Sequence, residues 1–172
     1  MQRRRLAVMT AGISLLVLAG CGGQGSGSAG SAAPEVASLT PEQRQAALAS
    51  LPAPYNTGDL ENGERQFGVC RSCHTIGPEG RNMTGPKLYG VFGRKAGSVP
   101  DFNYSDAVKQ AGFVWDGEHL DRWLADPRGY LKNTKMTFPG VKDAKDRIDL
   151  IAYLKLETGA ASTPMAEAKP QP

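Results

Sequence analysis

Cys70-Arg71-Ser72-Cys73-His74 is the stretch on which the fold turns. The spacing C-x-x-C-H is the attachment signature of a c-type haem. Two thiols three residues apart can bond the two vinyl groups along one porphyrin edge. The histidine next to them is then held beneath the ring, where an imidazole nitrogen can ligate iron. Two other chemistries use a C-x-x-C pair. Structural zinc needs a second pair of Cys or His, and the remaining candidates are Cys21, near the N-terminus, and the isolated His119. A thioredoxin-like redox pair needs βαβ patterning around it, and none is visible. With a covalent haem, the rest of the chain must wrap a flat apolar disc rather than only itself.

The totals suit that picture. At 172 residues there is room for one domain plus appendages. The chain carries 20 Lys and Arg against 17 Asp and Glu, and assigning Arg3, Arg4 and Arg5 to a leader leaves 17 against 17. A balanced charge has no general attraction for nucleic acid, so partner recognition falls to a local patch. Gly (21) and Pro (12) are abundant, which fits irregular loops around a cofactor joined to a low-complexity linker.

Upstream of the motif, residues 1–20 read as an export signal, with basic Arg3 to Arg5 followed by the apolar run Leu6 to Leu18. That run falls short of the roughly 20 apolar residues a membrane span needs. It ends in Leu18-Ala19-Gly20-Cys21, which resembles the lipobox of bacterial lipoproteins, cut before a cysteine that carries diacylglycerol. Cysteine arithmetic favours the same assignment, because Cys21 would otherwise be a lone thiol in an oxidising compartment. A multiply acylated cysteine holds firmly where one acyl chain does not. Position 22 is Gly, not the Asp of inner-membrane retention, so the choice of membrane stays open.

Residues 21–57 then form a lipidated cysteine and flexible linker, rich in Gly, Ser and Ala up to residue 39. Within it, Thr40-Pro41-Glu42-Gln43 reads as a helix start and capping box, giving a short helix over about 41–50 that stops before Pro52. Its thin apolar edge, Leu48 and Leu51, suggests loose docking. The 36 residues between Cys21 and Gly58 span roughly 30–35 Å as a random coil.

The folded domain is expected over 58–159, with a disordered Pro/Ala-rich tail at 160–172. Asp59 caps a first helix through Val69, with Leu60, Gly63 and Phe67 on one face. Gly inside a helix costs about 1 kcal/mol relative to Ala, so Gly63 implies close approach of another helix. The partner is residues 144–157, where Ile148, Ile151, Tyr153 and Leu154 form a wide apolar stripe ahead of Gly159. Ser105 to Ala111 reads as a short helix stopped by Gly112. Glu118 to Asp126 is another, ended by Pro127, with Leu120, Trp123 and Leu124 on one face. No stretch alternates with period two, so the fold class is all-α: three to five helices with long loops around one covalent haem.

Iron held by His74 needs a sixth ligand. A thioether is soft and stabilises ferrous iron, which suits electron transfer. Met136 stands 62 residues after His74 in Asn133-Thr134-Lys135-Met136-Thr137-Phe138-Pro139-Gly140, where polar neighbours and a Pro-Gly pair can hold a sulfur in place. A methionine packed in the core is the plain alternative.

From Gly58 to Gly159 the chain resembles a class I cytochrome c of the mitochondrial and bacterial cytochrome c2 type. The matches run in order: Cys70 to Thr75, Thr84-Gly85-Pro86-Lys87-Leu88, Gly90 to Lys95 and Phe102 to Asp106. They continue through Trp115, Asp126-Pro127, Tyr130, Thr134-Lys135-Met136 and Asp149 to Lys155. The resemblance implies one haem c bound covalently through Cys70 and Cys73, with His74 and Met136 as iron ligands. It implies that the Pro86 carbonyl fixes the His74 tautomer. Arg94, Tyr104 and Trp115 would hold the haem propionates, since burying carboxylates requires donors. Thr134 would bond the inner propionate, Phe138 would shield the edge near Met136, and Leu88 and Leu150 would pack on the porphyrin.

Departures from the family pattern accompany these matches. Only Gly68 and Val69 separate Phe67 from Cys70, one residue fewer than the mitochondrial pattern. Val69 replaces a docking lysine, Val108 a buried asparagine, and Trp123 a tyrosine near the methionine. The family's redox potential therefore does not carry over. The ring of docking cations is thinned to Lys87, Arg128, Lys132, Lys135 and Lys142, interrupted by Asp143. His119 is given no role.

The function implied is a monomeric one-electron carrier, not an enzyme. It would lie in a bacterial periplasm or on the cell exterior, anchored to a membrane through Cys21. A cytochrome bc1 complex would be its donor, and a terminal oxidase of the haem–copper or cbb3 type its acceptor. A peroxidase needs an open distal site with acid–base residues, and no histidine besides His119 is available. A gas sensor with a displaceable Met136 would need a signalling domain, for which the tail is too short.

Overall fold

A computed structural model describes residues 39–159. The stretch read as an export signal, Cys21, the Gly/Ser-rich segment up to residue 38 and the tail from residue 160 lie outside the described residues.

Two helices distant in sequence cross at the centre of the described region: α2 (Leu60–Phe67) and α6 (Ala144–Glu157). The crossing depends on Gly63, as the sequence suggests. A Cβ there would lie 2.2 Å from the Asp149 carbonyl oxygen and 2.6 Å from the Tyr153 Cβ. Phe67 packs on Tyr153 with ring centroids 5.8 Å apart. Asp149, 1% exposed, accepts from the Asp59 amide at 2.7 Å and from Asn62 Nδ2 at 2.9 Å. The start of α2 is thereby tied to the middle of α6. Asp59 itself caps α2 by accepting from the Glu61 and Asn62 amides. The helix stops at Phe67, two residues short of the expected end, and a 3₁₀ turn, Cys70–Ser72, carries the attachment motif.

α1 (Pro41–Ala49) begins as the sequence predicts, with the Thr40–Gln43 capping box formed in both directions. Loose docking is corrected. Leu48 and Leu51 are buried against Ala152 and Leu156 of α6, and Arg44 pairs with Glu157. The segment between α1 and α2 continues over the same surface, where a Cβ on Gly58 would lie 2.5 Å from the Ala152 Cβ. This second layer changes how α6 is buried. The expected stripe included Ile148, which is only half-buried, whereas Asp149 to Leu154 are buried without a break. A helix covered on two sides has no solvent face in its middle. Leu150 and Ile151, both at 0% exposure, each contribute about 1.5–3 kcal/mol on full burial.

The remaining helices are short and well capped. α3 (Asp106–Lys109) starts on the Ser105 hydroxyl, which accepts from the Val108 amide. α4 (Gly117–Ala125) starts on Asp116, which accepts from the His119 amide at 2.8 Å, and buries Leu120, Trp123 and Leu124. Pro127 ends α4 as expected but also opens α5 (Pro127–Tyr130), which the sequence reading does not anticipate. Asp126 is the reason, because its side chain accepts from the Gly129 amide and proline suits a first helical position. Among the described residues no strand forms. An isolated antiparallel bridge joins Lys95 and Val114, with the Trp115 amide donating to the Arg94 carbonyl at 2.9 Å.

Candidate haem site

The 3₁₀ turn brings both thiols and the imidazole to one edge of the core. The amides of Cys73 and His74 both donate to the Cys70 carbonyl, at 3.0 and 2.9 Å. Cys70 packs against the core cluster that contains Phe67, Leu150 and Leu154, and neither it nor Cys73 is in a disulfide. Burial, with a smaller effect of the neighbouring Cys73, pushes the Cys70 thiol up to about 11. Among the described residues no three His, Cys, Asp or Glu side chains converge on a common point. The setting fits a sulfur destined for a thioether.

His74 is fixed by the loop downstream of the motif. Its Nδ1 lies 2.7 Å from the Pro86 carbonyl oxygen. A carbonyl can only accept, so Nδ1 carries the proton and the Nε2 lone pair is left for a metal. Burial lowers the imidazole's pKa, opposed by the Pro86 bond, so the ring is neutral near pH 7. Gly85 lies directly against this ring, where a Cβ would fall 2.3 Å from Cε1 and 2.6 Å from Nε2. That cradle is open only because position 85 has no side chain. The Gly85 amide donates to the Cys73 carbonyl at 2.9 Å, which keeps it there.

The other expected site residues gather on the same core. Leu88, Tyr104, Met136 and Phe138 are half-buried and pack against the central cluster, and Trp115 lies within it. Thr134 Oγ1 accepts from the Met136 amide at 3.3 Å, which leaves its own hydroxyl proton free to donate elsewhere. Arg94 is held by the backbone. Two of its nitrogens donate to the Tyr89 and Lys87 carbonyls, at 2.9 and 3.0 Å, so it braces the loop that carries Leu88. Tyr104 stands edge-on to Phe102 at 4.7 Å, and burial raises its hydroxyl's pKa.

Trp123, in the family's tyrosine position, stands edge-on to Trp115 at 5.6 Å and to Tyr130 at 6.5 Å. Val108 is buried with them. His119, without a role in the sequence reading, stacks on Phe113 at 4.3 Å and bonds Asp116 through Nδ1. The docking cations are fewer in effect than in number. Lys135 donates to the Asn103 carbonyl at 2.9 Å and Lys142 to the Ala125 carbonyl at 2.9 Å. Val69, just before Cys70, is 61% exposed.

Three contacts escape sequence reasoning. The Gly85–His74 approach, the grip of Arg147 on Asp121 and on the Val141 and Lys142 carbonyls, and the link from Arg71 to Tyr153 all depend on how the chain folds back on itself. The glycine between Thr84 and Pro86 is the one visible signal, since Gly marks close backbone approach.

Neutral imidazole, paired unoxidised thiols and a surrounding half-buried apolar surface fit a covalently held porphyrin, and the comparisons with known proteins agree. A cytochrome c family model matches residues 60–156. Cytochrome c2 from Rhodomicrobium vannielii is 44% identical over 114 residues, 66% of this chain and 91% of that protein. Cytochrome c from Gibberella zeae is 48% identical over 102 residues, 59% and 96% of the two chains. Among solved structures, cytochrome cH from Methylobacterium extorquens aligns with a TM-score of 0.53 and 46% identity, covering 57% of this chain and 98% of that one. The matched span holds the C-x-x-C-H, its proline-bonded histidine and the crossing of α2 with α6. The chain therefore belongs to the cytochrome c family, as an electron-transfer protein rather than an enzyme, with one haem c attached through Cys70 and Cys73.

Proposed function

We propose that this cytochrome is a membrane-tethered one-electron carrier with His74 and Met136 as its two iron ligands. Its donor would be a cytochrome bc1 complex and its acceptor a terminal oxidase. The observation that carries the His74 assignment is the 2.7 Å contact between its Nδ1 and the Pro86 carbonyl, which fixes the tautomer and leaves Nε2 for iron. When bound, haem c supplies a ferric/ferrous couple that takes or gives one electron. Met136 Sδ, in the segment after Thr134, would serve as the second protein ligand to iron and would favour the ferrous state. Tyr104, Trp115 and the Thr134 hydroxyl supply donors for propionates, with Arg94 adding positive charge from its braced position. Leu88, Leu150 and Phe138 exclude water.

The chain layout proposed is an export signal at 1–20, lipidated Cys21, a tether, the haem domain to residue 159, and a tail at 160–172. Because residues 40–57 pack on α6, the tether is only the 18 residues 22–39. A short tether on the outer face of a bacterial membrane raises the effective concentration near membrane-bound partners into the millimolar range. Exposed Arg128 and Lys132 suit an acidic partner surface.

Fractionation and turnover test this together. Full-length holoprotein should sediment with membranes and carry electrons from quinol to oxidase, and Cys21→Ser should release it and slow that flow. Recovery of wild type in the soluble fraction would exclude the anchor. No reduction by a cytochrome bc1 complex would exclude the donor.

A further inference from the structure

The segment that carries Met136 is fastened to its surroundings at both ends. The leading end has Asn133 in the left-handed region at φ 65°, a Thr134 amide bond to the Leu131 carbonyl at 3.2 Å, and the exposed Lys135 contact to Asn103. At the trailing end, the Val141 amide donates to the Leu124 carbonyl at 2.8 Å and Lys142 Nζ to the Ala125 carbonyl. Gly140, at φ 94°, lies so close to α4 that a Cβ would fall 2.3 Å from the Ala125 oxygen.

One side chain joins these pieces from outside. Arg147, on the first turns of α6, donates from Nε to Asp121 Oδ1 of α4 at 2.7 Å. From Nη1 it donates to the Val141 and Lys142 carbonyls, at 3.0 Å each. Its side chain is 13% exposed, and Asp121 is its salt-bridge partner. A single guanidinium thus grips two helices and the end of the methionine segment.

We propose that Arg147, aligned by Asp121, is a positioning residue that holds the Met136 segment closed. The proposal rests on the assignment of Met136 as the sixth ligand. Arginine is required for geometric reasons. Its rigid fork places donors toward Asp121 and toward the two carbonyls at once. Lysine keeps the charge but is a single point donor on a flexible stem, so it can serve one side or the other. Without the clamp, residues 137–142 keep the Val141 amide bond and the Lys142 contact but lose the brace to α6. The open fraction of the segment then rises, by roughly tenfold for loss of a charge-assisted hydrogen bond.

The test uses ferric holoprotein and exogenous imidazole, which binds only where the methionine sulfur has left. Arg147→Gln should raise imidazole affinity about tenfold, Arg147→Lys and Asp121→Asn by less. Amide exchange should accelerate selectively over 134–142 while the α2 amides keep wild-type rates. Met136→Ala is the control for the underlying assignment. A wild type without the sulfur–iron absorption band, and unaffected by Met136→Ala, would mean that the ligand assignment is wrong. A wild type with that band, combined with clamp variants whose imidazole affinity is unchanged, would overturn the clamp alone. Exchange that accelerates equally in α2 and in 134–142 would also overturn it, by making Arg147 a general stabiliser. Should Arg147→Gln fail to fold, the half-exposed Asp121→Asn carries the same test.

Discussion

Gly63→Ala gives a test whose sign is opposite to what helix propensity predicts. Within a helix, Ala is favoured over Gly by about 1 kcal/mol, so an isolated α2 would gain from the change. In the folded protein the new Cβ would lie 2.2 Å from the Asp149 carbonyl oxygen and 2.6 Å from the Tyr153 Cβ. Ordinary contact is about 3.5–4 Å, so α2 and α6 must part by more than about 1 Å. Neither neighbour can swing aside, since one is backbone and the other a Cβ. Overpacking of this kind costs about 1–3 kcal/mol and occasionally more. Parting the helices also stretches the bonds from the Asp59 amide and Asn62 to Asp149, each worth about 1 kcal/mol or more. After the propensity gain is subtracted, the net loss is about 2–3 kcal/mol. At about 4 °C per kcal/mol for a body of this size, Tm falls by about 8–12 °C. Thermal unfolding of the holoprotein, followed by far-ultraviolet circular dichroism, measures it. Gly77→Ala is the control, because a Cβ there meets nothing within 4 Å, and it should change stability by less than about 0.5 kcal/mol. A Gly63→Ala protein more stable than wild type would refute the close crossing of α2 and α6.

Three further outcomes rest on the same geometry. Leu48→Ala should cost about 2–3 kcal/mol in urea unfolding, at the lower end for a buried leucine because the α1–α6 cluster is small; no change would mean that α1 does not dock. At Asp149, burial pushes the carboxyl up, but hydrogen bonds from Lys145, Asn62 and the Asp59 amide outweigh it, leaving a net downward shift. Its contribution is therefore complete above the unfolded value of about 3.9 and lost as pH falls through the lower folded value, so Asp149→Asn should flatten the decline of the urea midpoint below about pH 4. Gly85→Ala should displace the His74 ring, given the 2.3 Å approach to Cε1, and lower the yield of haem-bound protein in an export strain, read as the ratio of haem absorbance to protein.

The parts of this fold legible in the sequence are those set by local chemistry. Caps at Thr40 and Asp59 announce two helix starts, and both form, because a side chain accepting from an amide two or three residues on needs no tertiary partner. Gly63 is legible for a different reason: a helix tolerates an interior glycine cheaply only where something must come close. The docking of α1 is not legible. Its apolar edge is two leucines, and their receptor includes Ala152, a residue that carries little hydrophobic signal. Arg147 is invisible for a similar reason, since a cation 26 residues from Asp121 reads as surface until the chain folds it to 13% exposure. Of the site residues, the Cys70, Cys73 and His74 arrangement comes from spacing, and the Pro86 contact from family resemblance. The employment of Arg94 on the Tyr89 and Lys87 carbonyls has no counterpart in either.

The most direct test of an electron carrier with two closed axial positions is the optical spectrum of the exported protein, ferric and ferrous, before and after carbon monoxide. Ligation by His74 and Met136 predicts a sharp low-spin ferrous spectrum, the weak long-wavelength ferric band of sulfur ligation, and indifference to carbon monoxide. A high-spin spectrum that shifts at once on adding the gas would show that Met136 is not bound, and would contradict the carrier function.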